Sequence, residues 1–347
     1  MRGSRGRGLV LAFASAALFG ASTPACKWML GALPPLQLAG LLYLGAALGT
    51  GAWLLRERRA PALPPDRSNR GRLVGAVALG GVAGPLLLLE GLQIAPAASV
   101  ALLLNLEIAA TAALGAWLFR EPLGARGWLA VAGIGGAGAL VSGSAGWPGV
   151  PAAALVAAAC ACWGFDNQLT ARIDGIVPAQ AAFWKGAVAG SANLAIGLAT
   201  SPFAATAPSV AAALGVGALS YGASVALYIA AAQQLGATRA QAVFASAPFL
   251  GAALSLAALR EPLRPAQLAG AALLALSVAM LLRARHVHPH RHGALEHVHA
   301  HRHDDGHHLH EHPDAAPATL HSHWHRHEPL SHAHPHLPDL HHRHRHR

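Results

Sequence analysis

Two sets of residues in this 347-residue chain have the types and spacing to do chemistry. The first is histidine. All 23 histidines lie between His286 and His346. Eighteen of them alternate with other residues: His286, His288, His290 and His292; His297, His299, His301 and His303; His321, His323, His325 and His327; His332, His334 and His336; His342, His344 and His346. In an extended chain, with a rise of ~3.3 Å per residue, alternation sets imidazoles about 7 Å apart on one side, and a flexible chain can gather several onto one ion. Imidazole is largely neutral in a near-neutral cytoplasm. It suits Ni, Zn, Co and Cu(II), and Asp304, Asp305 and Glu311 are available to complete a shell. No cofactor is expected to be required, but a divalent transition metal is expected on this tail. The plainer alternatives are a passive low-complexity extension, or a polycation at low pH beside anionic headgroups.

The second set is five ionisable side chains inside otherwise apolar runs: Lys27, Glu90, Glu107, Asp166 and Lys185. Within a bilayer such groups cost about 2.5–3.5 kcal/mol each on insertion scales, and they normally face a cavity or a partner. Glu107 falls near the middle of its run with Asn105 close by, too deep to reach an interface. It reads as a proton-coupling carboxylate or a contact for a substrate amine, against the alternative of a protonated or hydrogen-bonded packing residue. Asp166 and Lys185 fall at similar depth and read as a structural ion pair or a gate; Lys27 and Glu90 fall similarly at the opposite side. Asn167, Gln168 and Gln241 complete the expected substrate and coupling set. No phosphate loop, nucleophile elbow or Ser/His/Asp arrangement occurs and no histidine precedes His286, so enzymatic catalysis is not expected.

The elements that must position these residues follow from composition. The chain is 54% hydrophobic and 12% charged, with mean hydropathy +0.39, where an ordinary soluble domain carries roughly 25% charge. Ten apolar runs are long enough for a ~30 Å hydrocarbon core: 9–30, 36–55, 73–94, 97–118, 127–144, 150–170, 179–200, 209–232, 238–259 and 265–283. They must be helices, because open strands leave their backbone unsatisfied in lipid. The first also resembles a secretory signal, but nine runs after it favour an uncleaved helix. Cytoplasmic loops retain Lys and Arg. With the N-terminus inside, fifteen arginines up to Arg285 fall on the cytoplasmic side and two, Arg260 and Arg264, outside. This predicts a multi-pass protein of a bacterial inner membrane with both termini in the cytoplasm. The partners expected are the lipid bilayer, a small-molecule substrate and divalent metal ions, with a homodimer left open. Up to Arg285 there are 19 Lys+Arg against 8 Asp+Glu, but the arginines sit in short loops and form no continuous basic face, so no nucleic acid is expected. Cys26, Cys160 and Cys162 all lie in apolar runs, which excludes a disulfide scaffold or a thiolate zinc cluster.

An internal repeat appears at a shift of 140 residues, where Arg120-Glu121-Pro122-Leu123 recurs as Arg260-Glu261-Pro262-Leu263. Locally each copy reads as a tight turn whose Pro opens the next helix. Two halves of five spans must be oppositely oriented, and inverted repeats are a transporter architecture with the substrate between the halves. The expected domains are 1–145 and 146–285, each a five-helix repeat, and 286–347, a disordered metal-binding tail. The fold class is all-α integral membrane.

With these turns, the run Leu18 to Pro24 ahead of Lys27, the run Trp163 to Thr170 followed by Lys185-Gly186, and the segment Ser99 to Glu107, the body over residues 9–283 resembles the drug/metabolite transporter superfamily, EamA type, in a subgroup that often carries a His-rich tail. Gln168 stands where the resemblance leads one to expect Asn, and Ile108 follows Glu107 where many relatives have Pro. The resemblance implies export of a small metabolite or drug-like molecule by alternating access. The alternatives are a divalent metal exporter for Ni, Co or Zn, and a membrane-tethered metal store.

Overall fold

The computed structural model describes residues 2–118, 123–144, 149–173, 175–235 and 237–283 of the body and, in the tail, 287–292, 295–301, 321–327 and 330–335. Every regular element among the described residues of the body is a helix. In chain order the helices are α1 (Arg2–Gly20), α2 (Ser22–Met29), α3 (Pro35–Arg56), α4 (Arg67–Ala76), α5 (Gly84–Ile94), α6 (Ala97–Leu103), α7 (Leu106–Leu118), α8 (Ala125–Ser144) and α9 (Gly149–Thr170), then α10 (Pro178–Thr200), α11 (Ala207–Val216), α12 (Ser224–Leu235), α13 (Ala237–Phe244), α14 (Ala247–Ala258) and α15 (Pro265–Arg283). Among the described residues, six helical stretches are long and apolar enough to cross a membrane: Gly6–Met29, Pro35–Arg56, Arg67–Ile94, Ala97–Leu118, Val150–Thr170 and Ala207–Ala231. Ala247–Ala258 and Pro265–Leu281 are shorter apolar helices.

Several runs that read as single helices are interrupted. The first is broken at Ala21, the fourth at Leu104-Asn105 and the ninth at Ala245-Ser246. The third and eighth each contain a π-helical stretch, Val77–Ala83 and Gly217–Ala223, which lie 140 residues apart. The breaks after α6 and α13 keep nearly the same shift, so the irregularities repeat along with the helices. Packing follows the same order. Helix α3 lies against α10, and α8 against α15, each joining an element to its own counterpart; α1 against α12 is the counterpart of α9 against α5. The α3–α10 approach is close enough that a Cβ on Gly186 or Gly190 would come within 2.8 Å of the α3 backbone. Small residues at helix crossings are how membrane helices pack tightly. Leu38, Leu89, Leu92, Val100, Ile134 and Leu274, all fully buried, fill the interior between these helices.

The second Arg-Glu-Pro-Leu turn differs from expectation. Pro262 does not open the next helix; α15 begins at Pro265. Arg260 adopts the left-handed region at φ 54° directly after α14, which reverses the chain. The Glu261 carboxylate then reaches the start of α6, where Oε1 accepts from the Ala97 N–H at 2.7 Å and Oε2 from the Ala98 N–H at 2.9 Å. Gln267 adds a bond from Nε2 to Ser99 Oγ at 3.0 Å. The turn therefore caps a helix of the other half. In the first copy, Arg120, Glu121 and Pro122 lie outside the described residues. At the opposite end, Asp66 caps α4 by accepting from the Asn69 N–H at 2.9 Å and from Asn69 Nδ2 at 2.6 Å, and these bonds hold its carboxyl below the usual carboxylate range.

The tail was expected to be disordered without metal, and four short segments of it are described. They form four strands, β1 (Val287–His292), β2 (Leu295–His301), β3 (His321–His327) and β4 (Leu330–Pro335), with β1 antiparallel to β4 and β2 antiparallel to β3. Alternation at period two is the strand period, and it is the pattern the histidines follow. His286, His303, His336, His342, His344 and His346 lie outside the described residues.

Candidate functional site

Four helices bring polar side chains together around the first π-helical stretch. Such a stretch bonds i to i+5 and tends to mark functional positions in helices. Here the Gly80 carbonyl accepts from the Tyr43 hydroxyl of α3 at 2.6 Å and from Trp163 Nε1 of α9 at 2.9 Å, while the Gly81 carbonyl accepts from Asn193 Nδ2 of α10 at 2.9 Å. Asp166 lies so close to Gly80 that any Cβ there would run into its carboxylate.

Asp166 and Lys185, expected to lie at one depth, do meet: Lys185 Nζ donates to Asp166 Oδ2 at 2.5 Å. Thr170 Oγ1 donates to the other oxygen at 3.0 Å. The Asp166 side chain is 4% exposed and that of Lys185 26%. Glu107, in the first turn of α7, accepts from Asn167 Nδ2 at 2.8 Å, and the same amide lies 3.2 Å from Thr111 Oγ1. Glu107 is half-buried and Asn167 exposed. It is within electrostatic reach of both Asp166 and Lys185. The contact with Asn167 sets Glu107 level with the last turn of α9, nearer that end than mid-run counting placed it.

Other expected site residues take structural places. Asn105 is fully buried in the α6–α7 break and donates to the Leu102 carbonyl of its own turn, at 3.0 Å. Gln168 donates to the Thr111 carbonyl at 3.1 Å and accepts from Arg172 at 2.6 Å. Gln241 accepts from the Tyr228 hydroxyl at 2.8 Å. Lys27 does not meet Glu90, which is exposed. Its Nζ donates to the carbonyls of Leu92 at 2.6 Å, Gln93 at 3.2 Å and Ala95 at 3.0 Å, at the C-terminal end of α5. A cation there meets the negative end of the helix dipole. With Glu261 on the start of α6, the α5–α6 turn is held by opposite charges at its two ends.

An aromatic wall adjoins the polar cluster. Tyr43 stacks on Tyr221 at 6.1 Å between centroids, Phe19 meets Tyr221 edge-on at 5.8 Å, and Phe244 lies 5.4 Å from both Phe19 and Tyr228. Tyr221 sits in the second π-helical stretch. Thr111, Tyr43, Gly80, Phe19 and Phe244 carry no charge and so did not stand out in their apolar runs; the Gly80-Gly81 doublet is the one signal that could have marked a close approach. Among the described residues, no group of three His, Cys, Asp or Glu side chains is placed to hold a metal ion.

A family model described as the EamA-like transporter family matches residues 6–143 and again 150–283. A solved structure described only as "Crystal structure of protein" is similar with a TM-score of 0.57 and 17% identity, covering 79% of this chain and 96% of that one, a likeness of fold alone. No curated protein matches the sequence.

Proposed function

Because the chain belongs to the EamA-like transporter family of the drug/metabolite transporter superfamily, multi-pass membrane transporters of small molecules that are generally not enzymes, we propose that it exports a small metabolite or drug-like molecule by alternating access across a bacterial inner membrane. The body crosses ten times in two inverted halves, 1–145 and 146–285, with both termini in the cytoplasm. Residues 286–347 form a cytoplasmic tail that binds divalent transition metal.

The observation that carries the reading is the Glu107–Asn167 contact beside the Asp166–Lys185 pair. With Glu107 ionised the three charged groups sum to −1; with Glu107 protonated they sum to zero. Unbalanced charge away from water is costly. The cluster therefore favours either a proton on Glu107 or a cationic group of the substrate beside it, and exchange between the two is a coupling mechanism. The aromatic wall supplies apolar surface for the rest of the molecule. Lys27 and Glu261, on the α5–α6 turn, serve as the outer closure, which opening to the outside must loosen.

The tail favours a second reading, a divalent metal exporter, whose body would have to pass the ion with the oxygen ligands of Glu107 and Asp166. Metal-resistance and metal-accumulation assays on the full-length, tail-deleted and Glu107→Gln proteins separate the two. The metabolite reading predicts that Glu107→Gln leaves metal tolerance at the wild-type level; a loss of tolerance equal to deleting the whole gene supports metal export.

A further inference from the structure

We propose that the tail holds divalent transition ions between histidines on facing strands of its two antiparallel ladders, each site taking one imidazole from residues 287–301 and one from residues 321–335. This deepens, and rests on, the metal-binding reading of the tail; it does not depend on what the body transports.

The register carries it. In the ladder between β1 and β4, His288 is opposite His334 and His290 opposite His332. In the ladder between β2 and β3, His297 is opposite His325, His299 opposite His323 and His301 opposite His321. The two ladders, each a separate two-stranded sheet, keep the same register number by number. Directly opposed residues of an antiparallel pair have Cβ atoms about 4.5–5.5 Å apart. Alternate residues of a strand share a face, so the His–His positions of each ladder fall on one face.

One further feature favours this register. The positions between the histidines of the second ladder pair Glu296 with Arg326 and Val298 with Trp324, an opposite-charge pair and an apolar–aromatic pair on the other face. Both kinds of cross-strand pair stabilise a sheet. A slip of two residues would still set histidine opposite histidine but would separate these partners. The sequence also carries the mirror spacing by itself, since His297, His299 and His301 are answered by His321, His323 and His325, and His288 and His290 by His332 and His334. The evenly alternating tail thus divides into paired positions and unpaired ones such as His292, which faces Leu330.

Pairing has a consequence that a loose collection of imidazoles lacks. The first ion closes the 302–320 connection and fixes the register, so later pairs form at lower entropic cost and binding is cooperative.

The test is Ni²⁺ binding to the full-length protein in detergent at near-neutral pH, read as bound nickel per chain and as the steepness of the isotherm. Three variants are compared: His297→Asn with His299→Asn and His301→Asn; His321→Asn with His323→Asn and His325→Asn; and all six together. Facing pairs predict that either triple variant loses the same amount of nickel, that the six-fold variant loses no more than either triple, and that the isotherm flattens. Losses that add in the six-fold variant overturn the pairing. If the wild type binds no more nickel than a tail-deleted protein, the metal reading itself falls and the transport reading stands apart from it.

Discussion

Tyr43 and Tyr221 stack with ring centroids 6.1 Å apart, and through them the two π-helical stretches are joined. The Tyr43 hydroxyl is bonded to the Gly80 carbonyl of the first stretch, and Tyr221 belongs to the second. The polar cluster on one side and the aromatic wall on the other are therefore parts of one assembly across the two halves. A shift in either irregular helix must be felt by the other.

Gly80→Ala tests this assembly at its tightest point. The new methyl group meets the Asp166 carboxylate, against which Lys185 is held. Overpacking of this kind costs about 1–3 kcal/mol. The variant is expected to melt at lower temperature in detergent and to lose transport, whereas Gly71→Ala, which has open space around it, should behave as wild type.

Asp166 and Lys185 are expected to depend on each other. Removing one member of a buried pair leaves the other uncompensated and costs on the order of 3–5 kcal/mol, with the lower end apt here because Lys185 is 26% exposed. Asp166→Asn and Lys185→Met should each lower expression and melting temperature, and the double substitution should recover most of the loss. Additive losses in the double variant would show that the two act separately.

Glu261 predicts a local effect at the outer end. Its carboxylate satisfies two N–H groups at the start of α6, and loss of a helix cap costs about 0.5–2 kcal/mol. Glu261→Ala should raise the rate at which a cysteine introduced at Ala98 reacts with a membrane-impermeant maleimide added from outside. An unchanged rate would remove this turn from the outer closure.

Membrane orientation rests on the arginine distribution. Reporter fusions and cysteine labelling are expected to find the tail in the cytoplasm and the segment Ser144–Trp147 outside; a tail reached from outside would reverse the assignment of the ends.

Much of this arrangement was legible from residue types and spacing. Apolar runs gave the helices, because length and hydropathy alone determine what can cross a bilayer, and the depth of Asp166 and Lys185 in adjacent runs was enough to bring them together. The pairing of Lys27 with Glu90 failed for a physical reason: a lysine near a helix end finds backbone carbonyls, which carry no sequence signature. The same reason hid Glu261 as a cap, since its partners are N–H groups of Ala97 and Ala98. The π-helical stretches were illegible because they keep the hydropathy of the helices around them. In the tail, composition pointed to a chain without regular structure, while the alternation that suggested metal ligands also carried the strand period.

Glu107 bears the central claim. A comparison of metabolites in the medium of cells expressing wild type, Glu107→Gln and Glu107→Asp at matched membrane levels tests it most directly. The expected result is one or a few compounds that accumulate outside with wild type, are absent with Glu107→Gln and are partly restored with Glu107→Asp. Equal export by Glu107→Gln and wild type would contradict the account and return Glu107 to a packing role.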